Sequence, residues 1–249
     1  MVTILTGKNC EVKFGPGLPT VIIGERINPT GRKNLAEELK EGKLNIVEED
    51  ARKQAEAGAD IIDVNVGAVG VDEEEMLPRV VKKVMEATSK PICIDSANPE
   101  AIKKALEAYS YKALINSVNG EERSMEKILP IVKESGNAVV CLNMDEKGIP
   151  NDAKTRVNIA KRIIERAESL GIPREDIVVD CLAMAAATDS NSARVTLETL
   201  RRVTEEFGIF TTIGASNISF GMPNRPLLNI QFLSMAILSG LTAPIVHPA

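Results

Sequence analysis

Eight short apolar runs alternate along the chain with segments of helical periodicity, and this alternation restricts the fold more than any other feature. The runs are rich in β-branched residues and stay apolar without a polar alternation, which is typical of strands covered on both faces in a parallel sheet. They occupy residues 21–28, 60–67, 90–96, 112–120, 137–144, 176–183, 209–217 and 243–249. Eight strands in strand–helix order favour a closed barrel over an open sheet, so we expect an α/β fold of the (β/α)8 or TIM-barrel class.

The intervening segments and the two chain ends define the predicted domain organisation. The helical segment of residues 34–58 is expected to break near Gly42, and Asn98 with Pro99 marks a helix start. Residues 1–20, with a turn at residues 6–9, predict an N-terminal hairpin segment, and residues 21–249 predict a single barrel domain. No helical segment follows the eighth run, so we expect the last helix to be missing, through trimming of the chain or because another element covers that seam.

Composition excludes several classes of function. The chain has 249 residues, 44% hydrophobic content and a net charge of -5, with neither a membrane-length apolar run nor a signal-peptide pattern, so we expect a cytoplasmic protein with no membrane partner. An acidic balance without a basic stripe argues against nucleic acid as a partner. The four cysteines form no CxxC pair and are interpreted as reduced core residues. With His247 as the single histidine, no histidine metal site or catalytic triad can be assembled, and we expect no bound metal.

Seven of the eight runs end in an amide or a carboxylate. Because the carboxyl ends of parallel strands meet at one face of a barrel, these side chains are expected to converge there as a site for a flat, polar heterocycle. Strand parity predicts that Asp95 shares an inward row with Cys93, and Asn143 with Cys141. The seven residues are Asn28, Asn65, Asp95, Asn116, Asn143, Asp180 and Asn217.

The two carboxylates have the clearest ligand signal. A partly desolvated carboxylate needs amide or guanidine donors, which a pterin ring offers. The alternative for Asp95 is a helix cap, although Asn98 occupies the better capping position. The alternative for Asp180 is a structural carboxylate paired with a backbone turn.

The amides are costly in strands, and turn chemistry is their alternative explanation. Asn65 is a secondary candidate, with a role in its own loop as the alternative explanation. Asp63 is also a secondary candidate, with pairing to Arg26 or Lys90 as barrel filling as its alternative explanation. Glu25 and Arg26 are interpreted either as a structural ion pair at the barrel mouth or as direct ligand contacts.

The segments VIIGERIN, DIIDVNVG, PICIDS, ALINSVN, VVDCL and GASNISFGMPNRP, in this order and spacing, resemble the pterin-binding methyltransferase family. This family includes the methyltetrahydrofolate:corrinoid protein methyltransferases and the folate module of cobalamin-dependent methionine synthase. The similarity extends from Val21 onward. It implies a TIM barrel that acts on tetrahydrofolate or methyltetrahydrofolate, needs a separate corrinoid protein as partner, and forms a homodimer.

The resemblance also implies roles for individual residues. Asp95, Asn116 and Asp180 would hydrogen-bond the pyrimidine edge of the pterin, and Asn217 would lie beside the nitrogen that carries the methyl group. Ser216 and Asn28 would support this arrangement, while Asn143 and Asn65 are further binding candidates. Asn217 and Asp95 are therefore the predicted catalytic residues, with Asn217 stabilising a protonated transition state through its amide.

Two other functions remain open from the sequence. A dihydropteroate-synthase-type enzyme would need a phosphate-binding Arg or Lys at the last strand, where this chain carries His247. A non-catalytic folate-binding module would keep Asp95 and Asp180 but need not keep Asn217. The direction of methyl transfer, and the demethylation or one-carbon pathway that the protein serves, do not follow from pterin-binding residues.

Overall fold

A computed structural model of the protein describes residues 1–15 and 17–248. The chain begins with two antiparallel strands, β1 (Thr3–Gly7) and β2 (Cys10–Phe14), joined by a tight turn in which Asn9 has a φ of 59°. Asparagine tolerates this left-handed conformation better than most residues. The predicted N-terminal hairpin is therefore confirmed.

Eight parallel strands follow and close into a barrel in the neighbour order β10-β3-β4-β5-β6-β7-β8-β9. Every predicted apolar run contributes one strand, which confirms the TIM-barrel prediction. The strands are β3 (Ile23–Ile27), β4 (Ile61–Asn65), β5 (Ile92–Asp95), β6 (Leu114–Asn119), β7 (Ala138–Leu142), β8 (Ile177–Asp180), β9 (Phe210–Gly214) and β10 (Ala243–Val246).

Eight α-helices surround the barrel in the described residues, two of them after β3 and none after β10. Asn98 caps α4 by accepting hydrogen bonds from the backbone N–H groups of Glu100 and Ala101, as its position before Pro99 predicts. Gly42, with a φ of 71°, separates the first two helices. The helices are α1 (Lys33–Lys40), α2 (Asn45–Glu56), α3 (Glu73–Ala87), α4 (Pro99–Glu107), α5 (Glu122–Ser135), α6 (Ala153–Ser169), α7 (Ser192–Phe207) and α8 (Arg225–Leu238).

Two apolar cores hold these layers together. The larger core lies between the strands and the helices, and the smaller fills the barrel interior. Leu5 and Phe14 of the hairpin belong to the inner core, where the Phe14 ring packs edge-on against Phe210 at a centroid distance of 5.9 Å. The hairpin therefore closes the end of the barrel where the strands begin and leaves the opposite end open.

The inward rows of side chains agree with the predicted parity on β5 but not on β7. Cys93 lies in the inner core, whereas Cys141 packs with Val139 in the core between strands and helices. The expectation that Cys141 faces the interior is wrong, because Ala138 and Val140 take the inward positions of β7. Both faces of this strand are apolar, so its sequence does not distinguish them.

The cysteines behave as core residues. All four are free thiols, and Cys93, Cys141 and Cys181 are buried while Cys10 is partly exposed. Burial raises the pKa of the Cys93 and Cys181 thiols far above the ordinary value, which keeps both protonated. Within the described ranges, residues 1–15 and 17–248, no helix is long and apolar enough to cross a membrane.

Candidate active site

A cavity of about 600 Å³ opens at the carboxyl ends of the barrel strands. Its lining is mainly polar and comes from strand ends and from the loops that follow them. Six of the eight predicted site residues line it, namely Asn28, Asp95, Asn116, Asp180, Ser216 and Asn217.

One wall of the cavity carries the predicted hydrogen-bonding set. Asp95 and Asn116 are register partners on the neighbouring strands β5 and β6, and Asp180 ends β8. Asn65 donates a hydrogen bond from Nδ2 to Asp95 Oδ2 at 3.0 Å, which fixes the orientation of that carboxyl. The wall therefore presents two carboxyl groups and one amide to a ligand that carries several N–H donors.

Burial controls the ionisation of both carboxyl groups on this wall. It raises the pKa of Asp180 from 3.8 to about 6, against the opposing effects of the Leu182 N–H and of Arg156. Burial likewise raises the pKa of Asp95 to about 6, although the hydrogen bond from Asn65 opposes it. Both groups are mostly ionised at neutral pH, and a ligand that donates hydrogen bonds to them favours the ionised form.

Arg156 organises the loop behind Asp180 and was not found from the sequence. Its side chain is 1% exposed, and its guanidinium donates to the carbonyl oxygens of Pro150, Cys181 and Leu182 at 2.8, 2.9 and 2.7 Å. Leu182 adopts a φ of 55°, which turns its N–H onto Asp180 Oδ1 at 2.8 Å. The turn that was the alternative explanation for Asp180 therefore exists, and Asp180 also lines the cavity.

Asn217 lies on a short 3-10 helix, Ala215–Ser219, that follows β9. Its backbone carbonyl accepts from the Phe220 N–H at 3.1 Å, whereas its exposed side chain makes no hydrogen bond to another described residue. A Cβ atom on Gly214 would approach Asn217 Nδ2 to 2.9 Å, so the glycine leaves room for that amide. The Asn217 amide can therefore rotate at the cavity mouth.

Glu25 and Ser216 form a contact that the sequence did not predict. Ser216 Oγ donates to Glu25 Oε1 at 2.8 Å across 191 positions of sequence. Burial raises the pKa of Glu25, while Ser216, Arg225 and Arg26 act in the opposite direction. The Glu25–Arg26 ion pair, one of the two interpretations, is not formed, because Arg26 lies 4.0 Å from Asp50 instead.

A cationic wall also borders the cavity. Arg32 forms an ion pair with Asp50 at 2.5 Å, and Arg26 lies on the same carboxylate. His247 directly follows β10 and lines the same cavity, and burial together with Arg26 lowers its pKa. No single strand end signalled this group, since Arg26 lies within β3, Arg32 in the loop before α1, and His247 just after β10.

Asp63 lines the cavity, and among the described residues it forms no ion pair with Arg26 or Lys90, the pairing given as its alternative. Its side chain is 2% exposed and accepts a hydrogen bond from Asn116 Nδ2 at 3.5 Å. Neither cation reaches it, because Arg26 lies 4.0 Å from Asp50 and Lys90 precedes β5 at the amino end of the strands, opposite the cavity.

Two predicted site residues do not line the cavity. Asn65 acts behind the wall through Asp95 and also accepts from the Gly67 N–H at 2.8 Å, which is the loop role given as its alternative. Asn143 is fully buried, and neither Nδ2 nor Oδ1 of its side chain has a hydrogen-bond partner. Among the described residues, no group of three His, Cys, Asp or Glu side chains is arranged to hold a metal ion.

Fold and site together define a class of protein. A TIM barrel with a polar cavity at the carboxyl ends of its strands has the architecture of an α/β-barrel enzyme for a small polar ligand. The sequence matches the family described as pterin binding enzyme over residues 24–247. The chain belongs to this family, and the wall formed by Asp95, Asn116 and Asp180 lies within the matched region.

Proteins with similar sequences indicate the kind of pterin binding enzyme more closely. The chain is 33% identical over 236 residues to a methylcorrinoid:tetrahydrofolate methyltransferase of Eubacterium limosum, covering 92% of this chain and 85% of that protein. It is 31% identical over 249 residues to the methionine synthase of Mycobacterium tuberculosis, covering 95% of this chain but 21% of the synthase. The chain is thus a homologue of a pterin-dependent methyltransferase.

Solved structures support the fold alone. The dihydropteroate synthase of Xanthomonas albilineans with 4-aminobenzoic acid superimposes with a TM-score of 0.73 at 21% identity, covering 98% of this chain and 92% of that one. The dihydropteroate synthase of Stenotrophomonas maltophilia gives a TM-score of 0.70 at 20% identity, covering 92% of this chain and 87% of that one.

Proposed function

We propose that the protein is a methyltransferase that moves a methyl group between methyltetrahydrofolate and the Co(I) corrinoid of a separate corrinoid protein. The observation that carries the proposal is that a wall of hydrogen-bond acceptors and one amide that makes no side-chain hydrogen bond among the described residues lie at the same barrel mouth. Asp95, Asn116 and Asp180 form the wall, and Asn217 supplies the amide. The similarity to a methylcorrinoid:tetrahydrofolate methyltransferase supports the same reaction class.

The reaction is a displacement at carbon. The Co(I) centre supplies an electron pair to the methyl carbon, so that a cobalt–carbon bond forms while the bond from carbon to N5 of the pterin breaks. The bonding pair of the broken bond remains on N5, which also takes up a proton, and tetrahydrofolate and methyl-Co(III) result. The reverse reaction uses tetrahydrofolate as methyl acceptor, as the name of the Eubacterium limosum relative describes.

The protein's residues bind and orient the pterin in this proposal. Ionised Asp95 and Asp180 accept the N–H groups of the pyrimidine ring in a charge-assisted manner. A tertiary amine is a poor leaving group, so N5 must be protonated or hydrogen-bonded as the methyl group departs. The Asn217 amide can turn its oxygen toward an N5–H group that is present in the transition state and absent from neutral methyltetrahydrofolate.

The corrinoid protein would dock over the open end of the barrel, because the hairpin closes the other end. We place the protein in the cytoplasm as one component of a demethylation or one-carbon pathway, and we propose a homodimer. Sedimentation velocity tests the last point, and a monomer at all concentrations would contradict it.

The experiment compares tetrahydrofolate binding with methyl transfer in matched variants. Asn217→Ala should keep the dissociation constant within about threefold but lower the transfer rate by about a hundredfold or more, since it removes a transition-state hydrogen bond in a desolvated site. Asp95→Asn should instead weaken binding by about tenfold or more because a charge-assisted bond is lost. Glu126→Gln, on the exposed face of α5, is the control and should change neither quantity.

The same preparations test the alternatives. A dihydropteroate synthase would condense dihydropterin pyrophosphate with 4-aminobenzoate, and this product from the unaltered protein would contradict the proposal. A binding module would bind tetrahydrofolate tightly without methyl transfer to free cobalamin or to any corrinoid protein.

A further inference from the structure

Asp63 is a carboxyl group in the cavity lining to which the proposed methyl transfer gives no role. It lies on β4, two register positions below the pair formed by Asn65 and Asp95, with Cys93 directly opposite on β5. The side chain is 2% exposed and still borders the cavity. It therefore forms part of the cavity floor, beneath the wall that would face the pterin.

Asp63 accepts a hydrogen bond that orients the Asn116 amide, and the Cys93 side chain opposite Asp63 contacts the same amide. Asn116 Nδ2 donates to Asp63 Oδ1 at 3.5 Å, and Asn116 Oδ1 makes no hydrogen bond to another described residue. The amide nitrogen is thus turned toward the floor, which leaves the carbonyl oxygen available to accept from a ligand.

The charged groups that act on Asp63 are both carboxylates. Burial raises the pKa of Asp63 most, and Asp95 of β5 and Glu25 of β3 raise it further. Cys93 of β5 and Asn116 of β6 hydrogen-bond its side chain and oppose this effect. Neither Lys nor Arg forms an ion pair with it among the described residues, so a second negative charge beside Asp95 would be uncompensated.

We propose that Asp63 works as a neutral carboxylic acid, a positioning residue that holds the Asn116 amide with its oxygen toward the pterin and lets Asp95 carry the negative charge. The two neighbouring carboxyl groups then have different tasks because their surroundings differ. Asp63 keeps a proton on the floor, and Asp95, nearer the opening and bonded by Asn65, ionises and accepts from the pterin. This assignment rests on the proposed pterin site but not on the methyl-transfer chemistry.

The test uses a substitution that mimics the neutral acid. Asp63→Asn keeps the shape and an acceptor oxygen without the ability to ionise, so tetrahydrofolate affinity at neutral pH should stay within about threefold of the unaltered protein. Asp63→Ala should weaken binding about tenfold, because the net value of one lost buried hydrogen bond is about 1.5 kcal/mol. Circular dichroism of both variants checks that the barrel is intact.

The pH profile separates this role from a merely structural one. In the unaltered protein, tetrahydrofolate binding should weaken at high pH as Asp63 ionises beside Asp95, and Asp63→Asn should remove this alkaline limb. The acidic limb, which reports Asp95 and Asp180, should remain in both proteins. An alkaline limb that persists in Asp63→Asn would contradict the proposal.

Infrared difference spectroscopy of the ligand-free protein gives an independent readout. At about pH 8, where Asp95 and Asp180 are ionised, a carboxylic-acid C=O band should be present in the unaltered protein and in Glu126→Gln and absent from Asp63→Asn. The proposal is overturned if that band is missing, or if Asp63→Asn loses as much affinity as Asp95→Asn. If the unaltered protein shows the band but binds no tetrahydrofolate, the proposed function fails while the protonation of Asp63 stands.

Discussion

Replacing Asp180 by asparagine should stabilise the ligand-free protein while it weakens the binding of the pterin. Asp180 is 7% exposed, and burial raises its pKa from 3.8 to about 6. The folded protein therefore resists ionising this group at neutral pH. Asparagine has the same shape, and its oxygen can still accept the Leu182 N–H that now lies 2.8 Å from Asp180 Oδ1.

The magnitude and its pH dependence follow from linkage. Each tenfold change in an acid constant equals about 1.4 kcal/mol, so the raised pKa corresponds to about 3 kcal/mol of stability lost on ionisation in the folded state. The protonated carboxyl has its full stabilising effect below pH about 4, and this effect is lost as the pH rises through about 6. The advantage of Asp180→Asn should therefore be near zero at pH about 4 and approach about 3 kcal/mol at pH about 8.

Urea unfolding at several pH values measures this difference, with Glu126→Gln as a surface control that should show none. The same variant should bind tetrahydrofolate at least about tenfold more weakly, since a charge-assisted hydrogen bond becomes a neutral one. A variant that is less stable than the parent at high pH, or a stability difference that does not vary with pH, would refute the reasoning.

Three other substitutions test separate parts of the account. Gly214→Ala places a Cβ 2.9 Å from the present position of Asn217 Nδ2, so methyl transfer should fall about tenfold or more while tetrahydrofolate affinity changes little; equal loss of both would contradict this separation. Arg156→Met removes one donor from each of three carbonyl oxygens, of which the Leu182 oxygen keeps the Thr196 hydroxyl as a second donor. The variant should lose about 3 to 5 kcal/mol of stability in urea unfolding, and a loss below about 1 kcal/mol would contradict the stabilising role given to Arg156. Leu5→Ala at the closed end should cost about 2 to 5 kcal/mol of stability without changing tetrahydrofolate affinity. Weaker tetrahydrofolate binding by this variant would contradict the independence of the hairpin and the cavity.

The strands were predictable because each is a compact apolar run bounded by turn or cap residues. Asn98 before Pro99 and the break at Gly42 marked helix boundaries, because capping and a left-handed glycine depend on the residue at that position alone. The facing of β7 was not predictable, because Cys141 and Val140 are equally apolar and only the closed barrel decides which points inward.

The contacts behind the site were less accessible from sequence than the site residues themselves. Asp95 and Asn116 stand out as polar groups ending apolar runs, whereas Arg156 sits in an ordinary helical pattern and its carbonyl partners have no sequence signature. The Glu25–Ser216 contact joins residues 191 positions apart, which periodicity and spacing do not report. Asp63 was visible as a strand carboxylate, but its partner depended on the register between β4, β5 and β6.

The most direct test of the central claim is an anaerobic optical measurement of the protein mixed with methyltetrahydrofolate and free Co(I) cobalamin. The account predicts that the Co(I) absorption band disappears as methylcobalamin forms, at a rate proportional to protein concentration and strongly reduced in Asn217→Ala. A Co(I) band that persists with both free cobalamin and corrinoid proteins, in a protein that binds tetrahydrofolate, would contradict the assignment as a methyltransferase.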